Sequence, residues 1–241
     1  MIIAVTMVRN EADVIGPVLT HLFNQGVDRV VVADNMSTDD TRTILEQTAE
    51  SHPVTILDDN EFGHRQGAKM TGLARAAHEM GAEWVLPFDG DEVWSGTVGT
   101  IAESLAVTKA DVVMAPGWDH IVTREGDGPF SPWRRKRPQT LCKVAFRARP
   151  DIELNEGNHD VRPDWMARVR GPLTFRHFQY RSLEQMAAKL RHGRAAMEAS
   201  GVDPMHGTHW REGGLLSDDE MAAKWAALCS EGDLVFDPVT L

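Results

Sequence analysis

The sequence predicts an α/β fold: a mixed, mostly parallel central sheet flanked by helices, followed by a C-terminal helical extension. Three observations carry that expectation. Over the first ninety or so positions, short Val- and Ile-rich runs alternate with amphipathic helical stretches about every thirty residues, as right-handed crossovers between parallel strands require. Between residues 111 and 178 the pattern breaks into shorter extended pieces, which is the mark of a mixed sheet edge. From residue 181 onward, Ser182-Leu183-Glu184-Gln185 and Ser217-Asp218-Asp219-Glu220 each fit a capping box ahead of an amphipathic run, reaching about residues 200 and 228.

Each element follows from local chemistry. Residues 2–8 are a β-branched apolar run suited to a buried strand. The polar stretch Arg9-Asn10-Glu11-Ala12-Asp13 precedes a helix over 14–25, closed by Gly26. A second strand over 29–33 stops at Asp34-Asn35-Met36-Ser37-Thr38-Asp39-Asp40, where Thr38 or Asp39 can cap a helix to about residue 50. Residues 54–57 give a third strand. Gly63-His64-Arg65-Gln66-Gly67 opens a third helix, over 66–80, with Met70, Leu73, Ala74 and Ala77 on one side and Gly81 at its end. The N–H groups at that start suit an anion, with Arg65 assisting, although a surface helix start explains them as well.

The chain is organised around residues 82–92, where Trp84-Val85-Leu86-Pro87-Phe88 ends abruptly in Asp89-Gly90-Asp91-Glu92. Side chains alternate along an extended segment, so Asp89 and Asp91 are expected on one face, with Gly90 letting the backbone turn beside them. Two such carboxylates can share a cation. Hard oxygen ligands with no nearby Cys suit magnesium, manganese or calcium, and leave room for phosphate oxygens. Ligands of open α/β sheets bind beyond the carboxyl ends of strands, which favours a site over the plain alternative of an acidic turn.

Beyond it, a helix is expected over 97–107 and extended pieces over 111–115, 121–123, 141–146 and 173–178. The loops 126–137 and 149–164 are long enough for lids or binding loops. The connection 201–214 carries His206, His209 and Trp210. The economical assignment is a catalytic body over 1–180 with a helical extension, 181–241, packed on the same domain.

Composition narrows the function. The chain of 241 residues has a formal net charge of −11, which argues against nucleic acid and anionic membranes as partners. The first strand-to-helix loop lacks G-x-G-x-x-G and no G-x-x-x-x-G-K-[ST] occurs, disfavouring NAD enzymes and P-loop NTPases. Cys142 and Cys229 form neither a zinc pair nor a disulfide framework. The start Met1-Ile2-Ile3-Ala4-Val5 does not read as a signal peptide, and no apolar run approaches the ~20 residues of a spanning helix, so a cytoplasmic location is expected.

Val8-Arg9-Asn10-Glu11, the turn Asp34-Asn35-Met36-Ser37-Thr38-Asp39 and Asp89-Gly90-Asp91 together resemble a GT-A fold glycosyltransferase of family 2 or the related family 92 type, over roughly residues 1–180. The resemblance implies metal-dependent transfer of a sugar from a nucleoside-diphosphate donor, a UDP- or GDP-sugar, to a hydroxyl acceptor with inversion. It implies that Asn10, Glu11 and Asp34 hold the base, that Arg65 and Gln66 lie beside the donor, and that Asp89 lies near the ribose and the metal. Asp91 would bind Mn²⁺ or Mg²⁺, and His177, in Thr174-Phe175-Arg176-His177-Phe178, would complete the metal site.

The sequence departs from processive members, having no Q-x-x-R-W and no membrane spans. The E-D pair that carries the base is also missing. Asp160 and Glu156, within Glu153-Leu154-Asn155-Glu156-Gly157-Asn158-His159-Asp160, are its candidate replacements, with His159 orienting the carboxylate or touching a phosphate and Asp119 in reserve. The basic run Arg134-Arg135-Lys136-Arg137 is either a solvated loop or a contact for an anionic acceptor or the leaving diphosphate. Trp94, Trp118 and Trp133 serve either core packing or sugar stacking. Two rival functions stand beside transfer: a nucleotidyltransferase, which usually has a glycine-rich basic loop after the first strand, and a non-catalytic nucleotide-binding module.

Overall fold

The computed structural model describes residues 1–63, 65–123, 127–201 and 207–241. His64, His206 and the start of the 126–137 loop therefore lie outside the described residues.

Four parallel strands form the first half of the sheet: β1 (Ile2–Val8), β2 (Arg29–Asp34), β3 (Val54–Asp58) and β4 (Trp84–Pro87). The connecting helices are α1 (Ile15–Asn24), α2 (Thr41–Ala49) and α3 (Gln66–Glu79). β1 pairs with both β2 and β4, and its side chains divide by parity. Ile2, Ala4 and Val8 enter one core with Val18, Leu19 and Leu22 of α1, whereas Ile3 and Val5 enter the other with Met70, Leu73, Ala74 and Ala77 of α3. A strand apolar on both faces must lie inside a sheet covered on both sides, which fits the place of β1 between β4 and β2.

The next elements are β5 (Glu92–Gly96), α4 (Ile101–Ala106), β6 (Val112–Ala115), β7 (Gly117–Asp119), β8 (Trp133–Arg135), β9 (Lys143–Arg147) and the hairpin β10 (Glu153–Leu154) with β11 (Val161–Arg162). β12 (Arg168–Arg170) and β13 (Leu173–His177) follow. The main sheet reads β12-β6-β9-β4-β1-β2-β3, with β9 antiparallel to both β4 and β6, so the expected mixed edge is present.

Two expectations are corrected. The helix over 97–107 begins only at Ile101, because Thr100 and Glu103 form a reciprocal capping box, and residues 92–96 pair as β5 instead. Residues 121–123 are not a strand, although Ile121 and Val122 are buried: Ile121 makes a backbone bond to Trp133, at 2.7 Å, and the strand lies earlier, at β7. Gly117 permits that pairing, since a Cβ there would sit 2.1 Å from the Phe175 ring.

β5, β13 and β7 form a second small sheet, with β13 in the middle. Its register sets His177 opposite Glu92 on one side and Asp119 on the other. The chain ends in α5 (Leu183–Ser200), α6 (Thr208–Gly213), α7 (Asp218–Cys229) and β14 (Leu234–Phe236). Met186, Leu190 and Met221 give α5 and α7 a small core of their own, and β14 returns to pair with β8. Ser217 makes the full capping box, whereas Ser182 caps alone, because Gln185 turns its Oε1 to the Arg181 N–H. Among the described residues no helix is long and apolar enough to cross a membrane.

Candidate active site

The carboxyl ends of β1, β2 and β4 lie side by side, and the acidic turn follows β4. Strand geometry stops at Pro87, and the Glu92 N–H donates to the Asp89 carbonyl at 3.0 Å, closing a turn over 89–92. The alternation expected of an extended strand therefore does not hold, and the two aspartates point to different partners. Gly90 has no left-handed φ. It is glycine because a Cβ would come within 3.0 Å of Val8 Cγ1 and 3.3 Å of Glu11 Cγ.

Asp89 accepts at Oδ1 from Gln66 Nε2 at 3.2 Å and Asn158 Nδ2 at 3.3 Å, and at Oδ2 from the Lys143 ammonium. Lys143, at the start of β9, also lies 2.8 Å from Glu92 Oε1. Glu92 is fully buried; its Oε2 accepts from the Asp89 N–H at 3.0 Å and from Trp94 Nε1 at 3.1 Å. Burial pushes the Glu92 carboxyl up, opposed by Lys143. Burial opposes the charge on Lys143 too, but Asp89 and Glu92 outweigh it and raise its pKa.

Asp91 is 2% exposed. Its Oδ2 accepts from the Lys189 ammonium and lies 3.8 Å from Arg181 Nη1, while its Oδ1 lies 3.5 Å from His177 Nε2. Burial alone would raise its pKa, but Lys189, His177 and Arg181 hold it well below the usual carboxylate range. His177 Nδ1 lies 3.2 Å from Asp119 Oδ1, so the imidazole bridges two carboxylates. Burial disfavours its charge, yet Asp91 and Asp119 win and push its pKa up to about 10. Asp119 in turn accepts from Gln139 Nε2 at 2.6 Å and Arg135 Nη1 at 2.9 Å; despite burial, His177, Gln139 and Arg135 bring its pKa to about 2.

A divalent ion shared by Asp89 and Asp91 does not fit these side chains. Each carboxylate already has an ammonium against its Oδ2, Lys143 at Asp89 and Lys189 at Asp91, and among the described residues no three His, Cys, Asp or Glu groups converge. The pair Asp91 Oδ1 and His177 Nε2 comes nearest, but an imidazolium offers a proton there rather than a lone pair.

Beside this cluster, the loops after β1 and β2 are tied together. Asn10 adopts a left-handed φ of 55° and accepts from the Thr38 N–H at 2.7 Å; Asp34 accepts from the Ser37 N–H at 3.1 Å. The Glu11 N–H donates to Thr41 Oγ1 at 2.8 Å. The Glu11 carboxylate turns inward, accepting from Arg181 Nη2 at 2.6 Å and Lys189 Nζ at 3.1 Å. Burial raises its pKa, against Lys189 and Arg181.

Residues 3–169, which include the acidic turn at the carboxyl end of β4 and the two flanking loops, match glycosyl transferase family 2. The chain belongs to that family. It is a glycosyltransferase that uses a nucleotide-sugar donor, with a GT-A fold. Among solved structures, the fold resembles that of TarS residues 1–349 from S. aureus, at 14% identity over 88% of this chain and 69% of that one, with a TM-score of 0.50. Full-length TarS from S. aureus gives 14% identity, 93% and 42% coverage, and a TM-score of 0.50. A more distant likeness is to glucosyl-3-phosphoglycerate synthase from Mycobacterium tuberculosis in complex with Mn²⁺, UDP and glucosyl-3-phosphoglycerate, at 18% identity, 50% and 44% coverage and a TM-score of 0.35. No curated protein matches the sequence.

In this glycosyltransferase the structure gathers Glu11, Gln66, Asp89, Asp91 and His177 into one cluster, with Asn10 and Asp34 on the adjoining loops. Arg65 stands apart, exposed and paired with Glu61 at 3.2 Å. Of the two base candidates, Asp160 is half exposed and accepts from Arg168 Nε at 3.2 Å. Glu156 lies against the start of α3, its Oε1 3.1 Å from where a Gly67 Cβ would stand. Trp94 is wholly buried, stacked on Phe175 with ring centroids 5.3 Å apart, so it packs the core and cannot stack on a sugar. Trp118 lies under Arg134, and Trp133 meets Phe236 edge-on. The basic run is held by acids: Arg134 by Asp237, Arg135 by Asp119 and Glu231, and Lys136 by Asp233.

Sequence reasoning missed Lys143, Asn158, Arg181 and Lys189. Asn158 carried a faint signal, since an Asn after a glycine suits its left-handed φ of 58°. Its Nδ2 reaches Asp89, while its buried Oδ1 has no hydrogen-bond partner among the described residues. The three basic residues carried none, because a lysine or arginine on a strand start or helix face normally reads as solvent-facing.

Proposed function

We propose that the protein transfers a glycosyl group from a UDP- or GDP-sugar to a hydroxyl acceptor with inversion at the anomeric carbon. The observation that carries this is the turn Asp89-Gly90-Asp91 at the carboxyl end of β4, its carboxylates oriented by Gln66, Asn158 and His177, beside the tied loops that bear Asn10 and Asp34. Asn10 and Asp34 are assigned to the nucleoside base, Asp89 to the ribose and donor sugar, and Asp91 with its cationic partners to the diphosphate.

The catalytic base belongs to the turn 155–160, which Gln66 links to Asp89 through the Gly157 N–H at 3.2 Å. Of its side chains, His159 fits best. Its Nδ1 lies 2.9 Å from the Cys142 carbonyl and so carries the hydrogen, leaving Nε2 as acceptor. Burial, aided by Lys143 and opposed by the Cys142 carbonyl, lowers its pKa, which favours the neutral ring. Asp160, tied to Arg168, and Glu156 are the alternatives.

Mn²⁺ or Mg²⁺ at Asp91 and His177 would require Lys189 to leave Asp91 and His177 to lose its proton. The test is a panel of UDP- and GDP-sugars with hydroxyl acceptors, following nucleoside diphosphate release and product configuration by NMR. Transfer with inverted configuration supports the assignment; retained configuration rejects inversion, and no transfer or donor hydrolysis with any sugar rejects the donor class.

A further inference from the structure

The second aspartate of the acidic turn receives its positive charge from the part of the chain beyond the family match. Lys189 lies on α5, and Arg181 just before it, both outside residues 3–169. Arg181 is 2% exposed and its donors are all directed at the protein: Nε and Nη2 to Asp13, at 2.6 and 2.8 Å, Nη2 also to Glu11, and Nη1 to the Phe178 carbonyl at 3.0 Å. It anchors the start of α5 against the loop after β1. Lys189 is different. An ammonium has three donors, and Lys189 directs two, to Asp91 and to Glu11 Oε1, while its side chain keeps 22% exposure. Among the described residues the third N–H has no acceptor, which leaves it for a ligand.

The pairing of the carboxylates points the same way. Every carboxylate of the cluster has a basic partner: Asp89 and Glu92 share Lys143, Glu11 and Asp91 share Lys189 and Arg181, Asp13 has Arg181, and Asp119 has Arg135 and His177. At Asp89 and Asp91 themselves, where a divalent ion would bind, an ammonium already occupies Oδ2 of each carboxylate. A leaving diphosphate, by contrast, meets an ammonium already fixed in place, which costs no reorganisation as charge develops.

We propose that Lys189, held by Asp91 and Glu11 and backed by Arg181, is the built-in cation for the leaving diphosphate, so that donor binding and transfer run without a divalent metal. This rests on the diphosphate binding at Asp91. Lys189 donates to a phosphoryl oxygen as the bond from that diphosphate to the anomeric carbon breaks and the acceptor oxygen forms its own bond there. The acceptor proton passes to the base in the 155–160 turn, and Lys189 keeps its own.

The test is calorimetric titration of UDP and GDP into wild type, Lys189→Met and Lys189→Arg, each in EDTA and in MnCl₂, with thermal melts of all three. Wild type is expected to bind one nucleotide with the same Kd in both buffers, within about threefold. Lys189→Met is expected to lose at least tenfold in both, and Lys189→Arg, which keeps the charge, to stay within a few fold. Wild-type binding that vanishes in EDTA and returns with Mn²⁺ overturns the inference while leaving the donor assignment intact. So does Lys189→Met binding as wild type does, or tighter binding by Lys189→Met in MnCl₂, which would make the lysine a placeholder for the ion. The wild-type arm decides even if Lys189→Met fails to fold. Binding of neither nucleotide in either buffer overturns the donor assignment and this inference together.

Discussion

The chain up to Asp91 and the part that follows it contribute differently charged groups to one site, the first only acids and the second all of its cations. The early strands deliver carboxylates at their carboxyl ends: Glu11 after β1, Asp34 ending β2, and Asp89 and Asp91 after β4. The later elements deliver what holds them: Lys143 from β9, 54 positions from Asp89; His177 from β13; and Lys189 from α5, 98 positions from Asp91. The difference teaches that the acidic half is a local motif, whereas its neutralisation is wholly long-range. A buried carboxylate without its partner costs several kcal/mol, so neither half is stable in this form without the other.

The largest effect expected is from breaking the join at Asp91. Asp91→Asn leaves Lys189, Arg181 and His177 without their common anion, and should lower turnover by more than ~10²-fold and stability by about 3–5 kcal/mol, as expected when one partner of a buried pair is removed. Urea denaturation and initial rates measure the two. A variant with wild-type stability would mean that the cationic side does not depend on the acidic one.

Lys143→Met sharpens the comparison, because Lys143 is 6% exposed and serves two carboxylates of which Glu92 is fully buried. Its loss should also cost about 3–5 kcal/mol, with a smaller effect on UDP or GDP affinity than Lys189→Met, since it orients Asp89 from behind rather than facing the ligand. Equal losses of affinity in the two variants would erase the distinction between a cation that positions and one that binds.

His177 gives the comparison a pH dependence. Its pKa rises from 6.5 to about 10 on folding, so its pairing contributes stability that is fully present below pH 6.5 and is lost as pH rises through about 10. The melting temperature of wild type should fall across that window, and His177→Asn should fall less. Parallel curves would show that the imidazole is not charged in the folded protein.

The base assignment yields the most selective effect. His159→Ala should lose roughly 10²- to 10⁴-fold in turnover with little change in donor affinity, whereas Asp160→Asn and Glu156→Gln should stay within a few fold. The reverse order would return the role to a carboxylate. At the small end, Arg65→Ala, which removes an exposed pair with Glu61, should change stability by no more than about 0.5 kcal/mol and donor affinity by less than about threefold.

Much of this was legible in the residues themselves. The order of β1 to β4, the helices between them and the position of Asp89 and Asp91 beyond β4 follow from apolar periodicity and turn chemistry, which act over a few neighbours. The failures share a cause. Asp89 and Asp91 were expected to face one cation because alternation was extended past Pro87, where a backbone bond closes a turn instead. β5 was hidden because Glu92 to Gly96 pairs with β13, about eighty positions away, and pairing partners leave no local trace.

What the sequence by itself determined is the α/β layering and the acidic strand end, because hydrophobic period and turn propensity are properties of adjacent residues. What only the tertiary structure decided is which cation meets each acid. Lys143, Arg181 and Lys189 look like surface residues in one dimension, and become counter-ions, buried for Lys143 and Arg181 and partly buried for Lys189, only when β9, β13 and α5 close over the turn. The physical reason is that a charge is tolerated inside a protein only where another has been brought to meet it, and chain folding, not sequence proximity, makes that meeting.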